Sequence, residues 1–513
     1  MSTGLSPADA LPPAARGVTP GPHRGYFVPR PPPTGKLPEA GPNVGFGNRA
    51  KRTNDKYNSG DRMNQIDNIR ERRNYHAVGG RYSIEQRRAL LRRLLAELQA
   101  NREEIMAALY TDLRKSEFEA SVTEFIPLLE ALRFMIRKLP RLAKTRRAAV
   151  SLMNFPARGR LVPEPYGVVL VCATWNYPLL LALEPVIGAV AAGNSVVLKL
   201  SDKSKATMNL IAELLERVSA FGQVVTVGDE FSFEEILKER FDYIFYTGSE
   251  YGGRKVLAAA APHLTPVTLE LGGKSPCIVC ADADLAVAAK RIVWGKFTNA
   301  GQTCVAPDYL LVHRSVKSRL LDEMRKRVRE FYGEKPLENP DYAHIVNRTH
   351  YDRLCKLLGD RPAERDPDRL CIAPAIVDEV TPDDPLMAGE IFGPILPVLE
   401  FSENEEALDL VRKLPKPLAL YCFGGDREMR RRVTEETSSG AVSFNDVVMH
   451  FVNPAMPFGG VGNSGMGRYH GKYSFETFTH YKPVMVQSGR IDWPVRYPPF
   501  REWQKKLARL LSR

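Results

Sequence analysis

Gly167-Val168-Val169-Leu170-Val171-Cys172-Ala173-Thr174-Trp175-Asn176-Tyr177-Pro178 is the stretch that decides the fold. Val168 to Cys172 is a continuous apolar run of strand length, without the alternation of a half-solvated strand, so it reads as buried on both faces. The polar turn after it ends at Pro178, and a helical stretch follows to Ala192. Further on, Ser195 to Leu198 reads as a strand and Thr207 to Val218 as a helix. Gln223 to Val227, Tyr243 to Tyr246 and Val267 to Leu271 read as further strands with helical segments between them. This alternation predicts an α/β fold with a parallel sheet covered on both faces. A second alternating series runs from Lys274 to about Phe444.

Upstream the pattern is helical. Ser83 and Gln86 have capping-box spacing, and Leu90, Leu91, Leu94, Leu95 and Leu98 make one apolar face behind them. A second helix is expected from Asn101 to Leu113, and a third from Phe118 to Leu139, stopping before Pro140. The first fifty residues hold eleven prolines and eight glycines, so residues 1–62 read as a disordered tail.

The chain has 513 residues, enough for two or three domains, and a formal net charge of +12. Residues 1–62 hold nine Lys/Arg and four Asp/Glu, a net of +5, and residues 484–513 hold seven and two, again +5. By subtraction the body carries only about +2, which is no footprint for nucleic acid. Seven scattered cysteines, with no signal peptide in front of them, imply free thiols in a reducing compartment, and a cytoplasmic location is expected. Cys277 and Cys280 form a CxxC, but inside an apolar strand and without a second pair. They read as core residues, and no metal site is expected.

Four blocks carry chemistry. In Asn299-Ala300-Gly301-Gln302-Thr303-Cys304, a cysteine after a polar turn is a candidate nucleophile, against the alternative of a small buried hydrophobe. In Thr268-Leu269-Glu270-Leu271-Gly272-Gly273-Lys274, Glu270 interrupts an apolar strand. Burial raises a carboxyl's pKa, so Glu270 is a candidate base, the alternative being a cap on the glycine turn. Asn176 can offer an amide N–H to an oxyanion or can cap the helix at Pro178. Tyr246-Thr247-Gly248-Ser249-Glu250-Tyr251-Gly252-Gly253 joins a strand to a helix. Glycines there allow a phosphate to approach the helix N-terminus, though an ordinary turn has the same composition.

Together these blocks resemble the aldehyde dehydrogenase superfamily, most closely its class 3 branch of fatty and aromatic aldehyde enzymes, over about 63–483. Gly389-Glu390-Ile391-Phe392-Gly393-Pro394, Trp294-Gly295-Lys296-Phe297, the glycine run Pro457 to Gly467 and Tyr469-His470-Gly471-Lys472 extend the resemblance. It implies that Cys304 attacks an aldehyde, that Asn176 holds the oxyanion, and that Glu270 activates the water that hydrolyses a thioester. It also implies NAD or NADP as cofactor. Lys199, Asp202 and Glu390 would lie at its riboses, Gly248, Ser249 and Gly253 at its pyrophosphate, and Phe392 at the nicotinamide. The implied fold is a Rossmann-like dinucleotide-binding domain (63–142 and 164–269), an α/β catalytic domain (270–446) and a small β bridging arm (143–163 and 471–495). A glycine-rich segment (447–470) would close the active site, and a homodimer is implied. Family members usually carry Lys-Pro-Ser-Glu where this chain has Lys199-Leu200-Ser201-Asp202, so use of both cofactors is expected.

Residues 496–513 read as a basic amphipathic tail. Trp503, Leu507, Leu510 and Leu511 share one helical face, and such a helix either lies on an anionic membrane surface or packs on protein. Three rival functions remain open at this stage. A CoA-acylating aldehyde dehydrogenase is opposed by Glu270, and a catalytically silent protein on the same fold by the intact Cys304, Glu270 and Asn176. A plain nucleotide-binding module is the third.

Overall fold

The computed structural model describes residues 59–219 and 222–512. Residues 1–58 of the expected tail lie outside the described residues. The remainder of it is helical, because a helix spans Ser59–Ala77. Its sequence is mostly polar, and of the residues from 65 onward only Ile69 is fully buried, which is why periodicity does not reveal it. The helix is tied down by side chains instead: Arg73 donates to the Arg240 carbonyl at 2.5 Å, and His76 Nε2 lies 3.1 Å from Ser195 Oγ.

The helix Ile84–Ala100 starts as its sequence requires. Ser83 Oγ accepts from Gln86 N at 3.1 Å, Gln86 Oε1 accepts from Ser83 N at 2.8 Å, and Leu90, Leu91, Leu94 and Leu98 are buried. Arg102–Leu113 follows. The third helical stretch departs from expectation. It runs from Glu117–Ala120 through a π-turn, Ser121–Phe125, into Ile126–Leu142, with Pro140 inside it. Proline is tolerated there because it lies within three residues of the end, and the face formed by Leu132, Met135, Leu139 and Leu142 carries burial past it.

Seventeen strands follow in the described chain. A three-stranded antiparallel arm joins β1 (Arg146–Ala148), β2 (Arg158–Pro165) and β17 (Thr479–Val486). The first large sheet holds β3 (Val168–Cys172), β4 (Ser195–Lys199), β5 (Val224–Val227), β6 (Tyr243–Gly248) and β7 (Val267–Leu271), all parallel. The second holds β8 (Pro276–Val279), β9 (Tyr309–His313), β12 (Ala375–Val377), β13 (Ile395–Phe401), β14 (Ala419–Phe423) and β15 (Ala441–Phe444), also parallel. Between β9 and β12 a small hairpin pairs β10 (Arg365–Asp366) with β11 (Cys371–Ile372).

The glycine-rich segment adds a strand to the first sheet. Its β16 (Gly465–Met466) joins the first sheet antiparallel to β7, with Gly465 opposite Glu270. The first sheet therefore has the order β16-β7-β6-β3-β4-β5, and the second β12-β13-β9-β8-β14-β15. The switch in strand order between β3's neighbours puts the loops after β3, β4 and β6 at one edge, where open α/β sheets bind ligands.

Cys277 lies within β8 and Cys280 just after it, both buried free thiols, and among the described residues no cluster of His, Cys, Asp and Glu could hold a metal. No described helix is long and apolar enough to cross a membrane.

Candidate active site

The loop that leads to Cys304 is built from strained backbone. Asn299 and Ala300 have φ of 53° and 49°, and Gly301 follows at 73°. Left-handed backbone at the two non-glycine positions costs on the order of 1–3 kcal/mol each and persists only where the surroundings over-determine it. Here Gln302 supplies that constraint. Its buried amide donates to Asn299 O at 3.1 Å and His344 O at 2.9 Å, and accepts from Val346 N at 3.0 Å. A side chain at Gly301 would collide with the Gly393 carbonyl, so the Cys304 loop and the Glu390–Phe392 loop pack at that point. Cys304 is half-buried. Burial pushes its thiol up to about 12, with the Glu390 and Glu270 carboxylates adding to the rise. A thiol in that state needs a proton acceptor before it can attack.

Glu270 lies in β7, buried to 3 % exposure, and among the described residues neither carboxylate oxygen has a hydrogen-bond partner. The reading of Glu270 as a cap on the glycine turn is therefore not what forms. Burial raises its pKa well above the usual carboxylate value, and the Glu184 carboxylate raises it further. Glu184 is itself buried and accepts from His470 Nδ1 at 2.7 Å, while its second oxygen has no partner.

Asn176 sits at the carboxyl end of β3, 3 % exposed. The capping alternative fails here too. Tyr177 is the N-cap residue of the helix Pro178–Ala192 and makes no side-chain cap bond, and the Glu124 carboxylate takes the Leu179 and Leu180 N–H groups at 2.8 and 3.3 Å. The Asn176 amide instead donates to Gln302 O at 3.0 Å, two residues from Cys304, and accepts from Thr174 Oγ1 at 3.3 Å. Tyr177 Oη lies 2.6 Å from Thr303 Oγ1 and ties the same two loops together.

The cofactor candidates divide into three places. Gly248 ends β6, and Ser249 N-caps the helix Glu250–Ala260, accepting from Gly252 N at 3.3 Å. A Cβ at Gly248 or Gly252 would strike the Tyr246 hydroxyl, Gly253 packs on Leu271, and Thr247 Oγ1 is buried without a partner. That N-terminus, with its dipole and one unmet hydroxyl, fits a pyrophosphate. Lys199 is buried at the end of β4 and donates to Leu200 O at 2.9 Å. Asp202 is exposed one turn further on, outside the adjacent cavity of about 170 Å3 that Gln65, Leu200, Ser201, Lys205, Thr226 and Glu230 help to line. Glu230, buried and accepting from Gly228 N at 2.6 Å, is a carboxylate that sequence reasoning missed at this end.

At the other end Glu390 lies against Gly272, where a Cβ would overlap its carboxylate, and burial lifts its pKa to about 8. Phe392, left-handed at φ 51°, packs edge-on to Trp175 at 5.4 Å between centroids. Lys274 holds this loop: it pairs with Asp308 at 2.7 Å and donates to Leu386 O at 2.6 Å and Gly389 O at 3.2 Å. The residues present fit a dinucleotide stretched from the β4–β5 edge to the Cys304 loop.

Residues 56–484 match the aldehyde dehydrogenase family, and the chain belongs to it. It is an NAD(P)-dependent oxidoreductase that converts aldehydes to carboxylic acids. The chain is 44 % identical over 429 residues to aldehyde dehydrogenase family 3 member A2 of Mus musculus, covering 82 % of this chain and 88 % of that one. It is equally 44 % identical to the 4,4'-diaponeurosporen-aldehyde dehydrogenase of Staphylococcus aureus, covering 82 % and 93 %. The solved substrate-bound state of Staphylococcus aureus AldH superposes with a TM-score of 0.84 at 41 % identity, over 87 % of this chain and 99 % of that one.

Proposed function

We propose that Cys304 is the nucleophile, Asn176 the oxyanion donor and Glu270 the base of this oxidation. The observation that carries the reading is Glu270, a buried carboxylate with both oxygens unmet and close enough to Cys304 to raise its pKa. Cys304 gives its proton to solvent water as its sulfur adds to the aldehyde carbonyl, and the developing alkoxide is held by the Asn176 amide and the Cys304 N–H. When bound, NAD(P) supplies the hydride acceptor that turns the thiohemiacetal into a thioester. Lys199 and Glu390 would hold its riboses, Gly248, Ser249 and Gly253 its pyrophosphate, and Phe392 its nicotinamide, with Asp202 at the rim of the adenosine end. Glu270 then takes a proton from water, the hydroxide displaces the Cys304 thiolate, and the acid leaves. A base so placed opposes transfer of the acyl group to CoA.

Asn176→Ala is expected to lower turnover on the order of a hundredfold, the cost of losing one oxyanion donor. A fall of only about twofold in steady-state kinetics would return Asn176 to a structural role.

The substrates we infer are medium or long-chain aliphatic or aromatic aldehydes. Rings of Tyr177, Phe451, Phe458, Tyr469 and His470 gather on the Cys304 and Glu270 side, with Phe458 and His470 centroids 5.3 Å apart and Tyr469 stacked on His470 at 4.4 Å. The Staphylococcus aureus relative is named for a long polyene aldehyde. Both NAD and NADP are accepted in this reading. An exposed Asp202 leaves room for a 2′-phosphate, and Lys203 is exposed beside it. Steady-state kinetics with each cofactor test this, and a preference above about a thousandfold, roughly 4 kcal/mol, contradicts it.

The division into dinucleotide-binding, catalytic and bridging parts is part of the same proposal, as is a homodimer. Among the described residues the outer edge of β17 is unpaired, and Met485 and Val486 are exposed on it. A cytoplasmic enzyme touching a membrane peripherally is the further proposal. In the helix Glu502–Leu511, Trp503, Leu510 and Leu511 are exposed beside Lys505, Lys506 and Arg509, while Gln504 anchors the helix to Pro494, Val495 and Tyr497 carbonyls at 3.2, 3.0 and 3.2 Å. A chain ending at Pro499 is expected to stay dimeric by light scattering but to lose low-salt co-sedimentation with anionic vesicles. Equal sedimentation of the two chains would make the tail a packing element, and a monomeric mass for both would remove the dimer.

A further inference from the structure

Lys115 and Glu124 are both 0 % exposed and meet at 2.6 Å. Each also grips backbone that leads to the oxyanion loop. Lys115 Nζ donates to the Asn176 carbonyl at 3.0 Å and lies 3.9 Å above the Tyr177 ring. The second Glu124 oxygen takes the Leu179 and Leu180 N–H groups at 2.8 and 3.3 Å. The π-turn Ser121–Phe125 carries Glu124, and the extra residue in such a turn rotates side chains relative to a regular helix. The Asn176 carbonyl has one other partner, Asn299 Nδ2 at 2.8 Å, which belongs to the nucleophile loop.

A buried ion pair is a poor source of net stability, because desolvation offsets most of the attraction. Its geometric effect is larger. Asn176 is fixed at its carbonyl by Lys115 and Asn299, at its side chain by Gln302, and three residues later by Glu124. From outside the nucleophile loop, the side-chain bonds to the Asn176 carbonyl and to the first free N–H groups of the following helix both come from this pair.

We propose that the buried Lys115–Glu124 pair is a positioning clamp that sets the direction of the Asn176 amide toward the reacting oxygen. Neither residue touches substrate or cofactor. The inference rests on Asn176 being the oxyanion donor. The pair acts on the acylation step, in which the alkoxide forms, and not on cofactor binding, whose candidate residues lie at other strand ends.

The test is a double-mutant cycle. Lys115→Met with Glu124→Gln removes both charges together, so no lone charge is left buried, and the amide oxygen introduced by Glu124→Gln still accepts from the helix N–H groups. Single-turnover NADH formation is followed with Asn176 intact and in an Asn176→Ala background, alongside NAD dissociation constants and melting temperatures. With Asn176 intact, the burst rate is expected to fall at least about tenfold, within the hundredfold that a 1 Å misplacement costs. In the Asn176→Ala background the same pair of changes is expected to cost less than about twofold, since residues that act as a unit are not additive. Cofactor affinity stays within about twofold in both backgrounds if the clamp acts only on the oxyanion. Equal fractional losses in the two backgrounds overturn the inference, as does an unchanged burst with Asn176 present. Should Asn176→Ala alone cost almost nothing, the oxyanion reading fails first, on its own arm, and the clamp falls with it. If the double variant does not fold, Lys115→Arg, which keeps the charge but displaces the Asn176 carbonyl, is read by the same criteria.

Discussion

Cys304→Ala is expected to produce no NADH from any aldehyde while binding NAD as well as the unaltered enzyme does. In the proposed reaction the thiol sulfur forms the covalent bond on which every later step depends. The other cysteines in the described chain lie outside the Asn299–Cys304 loop: Cys172 is buried in β3, Cys277 in β8 with Cys280 just after it, Cys371 in β11 and Cys422 in β14, and Cys355 lies in the helix Arg348–Leu358. The loss should reach the background of the assay, a factor of about 10⁴ or more, as for removal of a covalent nucleophile elsewhere. Binding is retained because the dinucleotide candidates sit on β4, β6 and the Glu390 loop. A Cys304→Ala variant that kept measurable turnover, with NADH formation followed at saturating cofactor, would place the nucleophile elsewhere.

Glu270→Gln should divide the reaction at its midpoint. Acylation continues, so one equivalent of NADH appears quickly, and steady-state turnover falls by about 10²–10⁴ because the water has lost its base. The pH dependence has a definite sign. Glu270 takes a proton only as a carboxylate, and burial with the Glu184 charge holds its pKa above the ordinary value. Deacylation in the unaltered enzyme therefore rises with pH past the usual carboxylate range and levels once Glu270 is ionised. Glu270→Gln removes that limb. Stopped-flow traces with a slow phase that keeps the full pH-dependent rise in the variant would assign the base to another residue.

Much of this site is legible in the sequence because its chemistry is local. Cys304 follows a turn that an Asn-Ala-Gly run forms, Glu270 stands out as a charge inside an apolar strand, and Asn176 closes the run of residues that defines the first parallel strand. The strands themselves are legible for the same reason, since an unbroken apolar run of that length leaves few other structures open. What is not legible depends on contacts between distant residues. Lys115 is sixty-one residues from Asn176, and Glu124 fifty-five from Leu179, with nothing in either neighbourhood to announce the partner. Glu184 reads as one polar residue in a buried helix until His470 is seen against it. The helix Ser59–Ala77 escapes because side-chain hydrogen bonds hold it where an apolar stripe would have been visible. Pro140 misleads for the opposite reason: the local rule against proline is outweighed by burial of the face that passes it.

The proposed reaction turns on an acyl group attached to Cys304 and released by Glu270. The direct measurement is peptide mass spectrometry on Glu270→Gln mixed with NAD and an aldehyde such as decanal, quenched in acid after the burst. The peptide containing Cys304 is expected to gain the mass of the acyl group, in an amount equal to the NADH formed, and to lose it on treatment with hydroxylamine. An unmodified Cys304 at full NADH burst, or an acyl group found on a different residue, would contradict it.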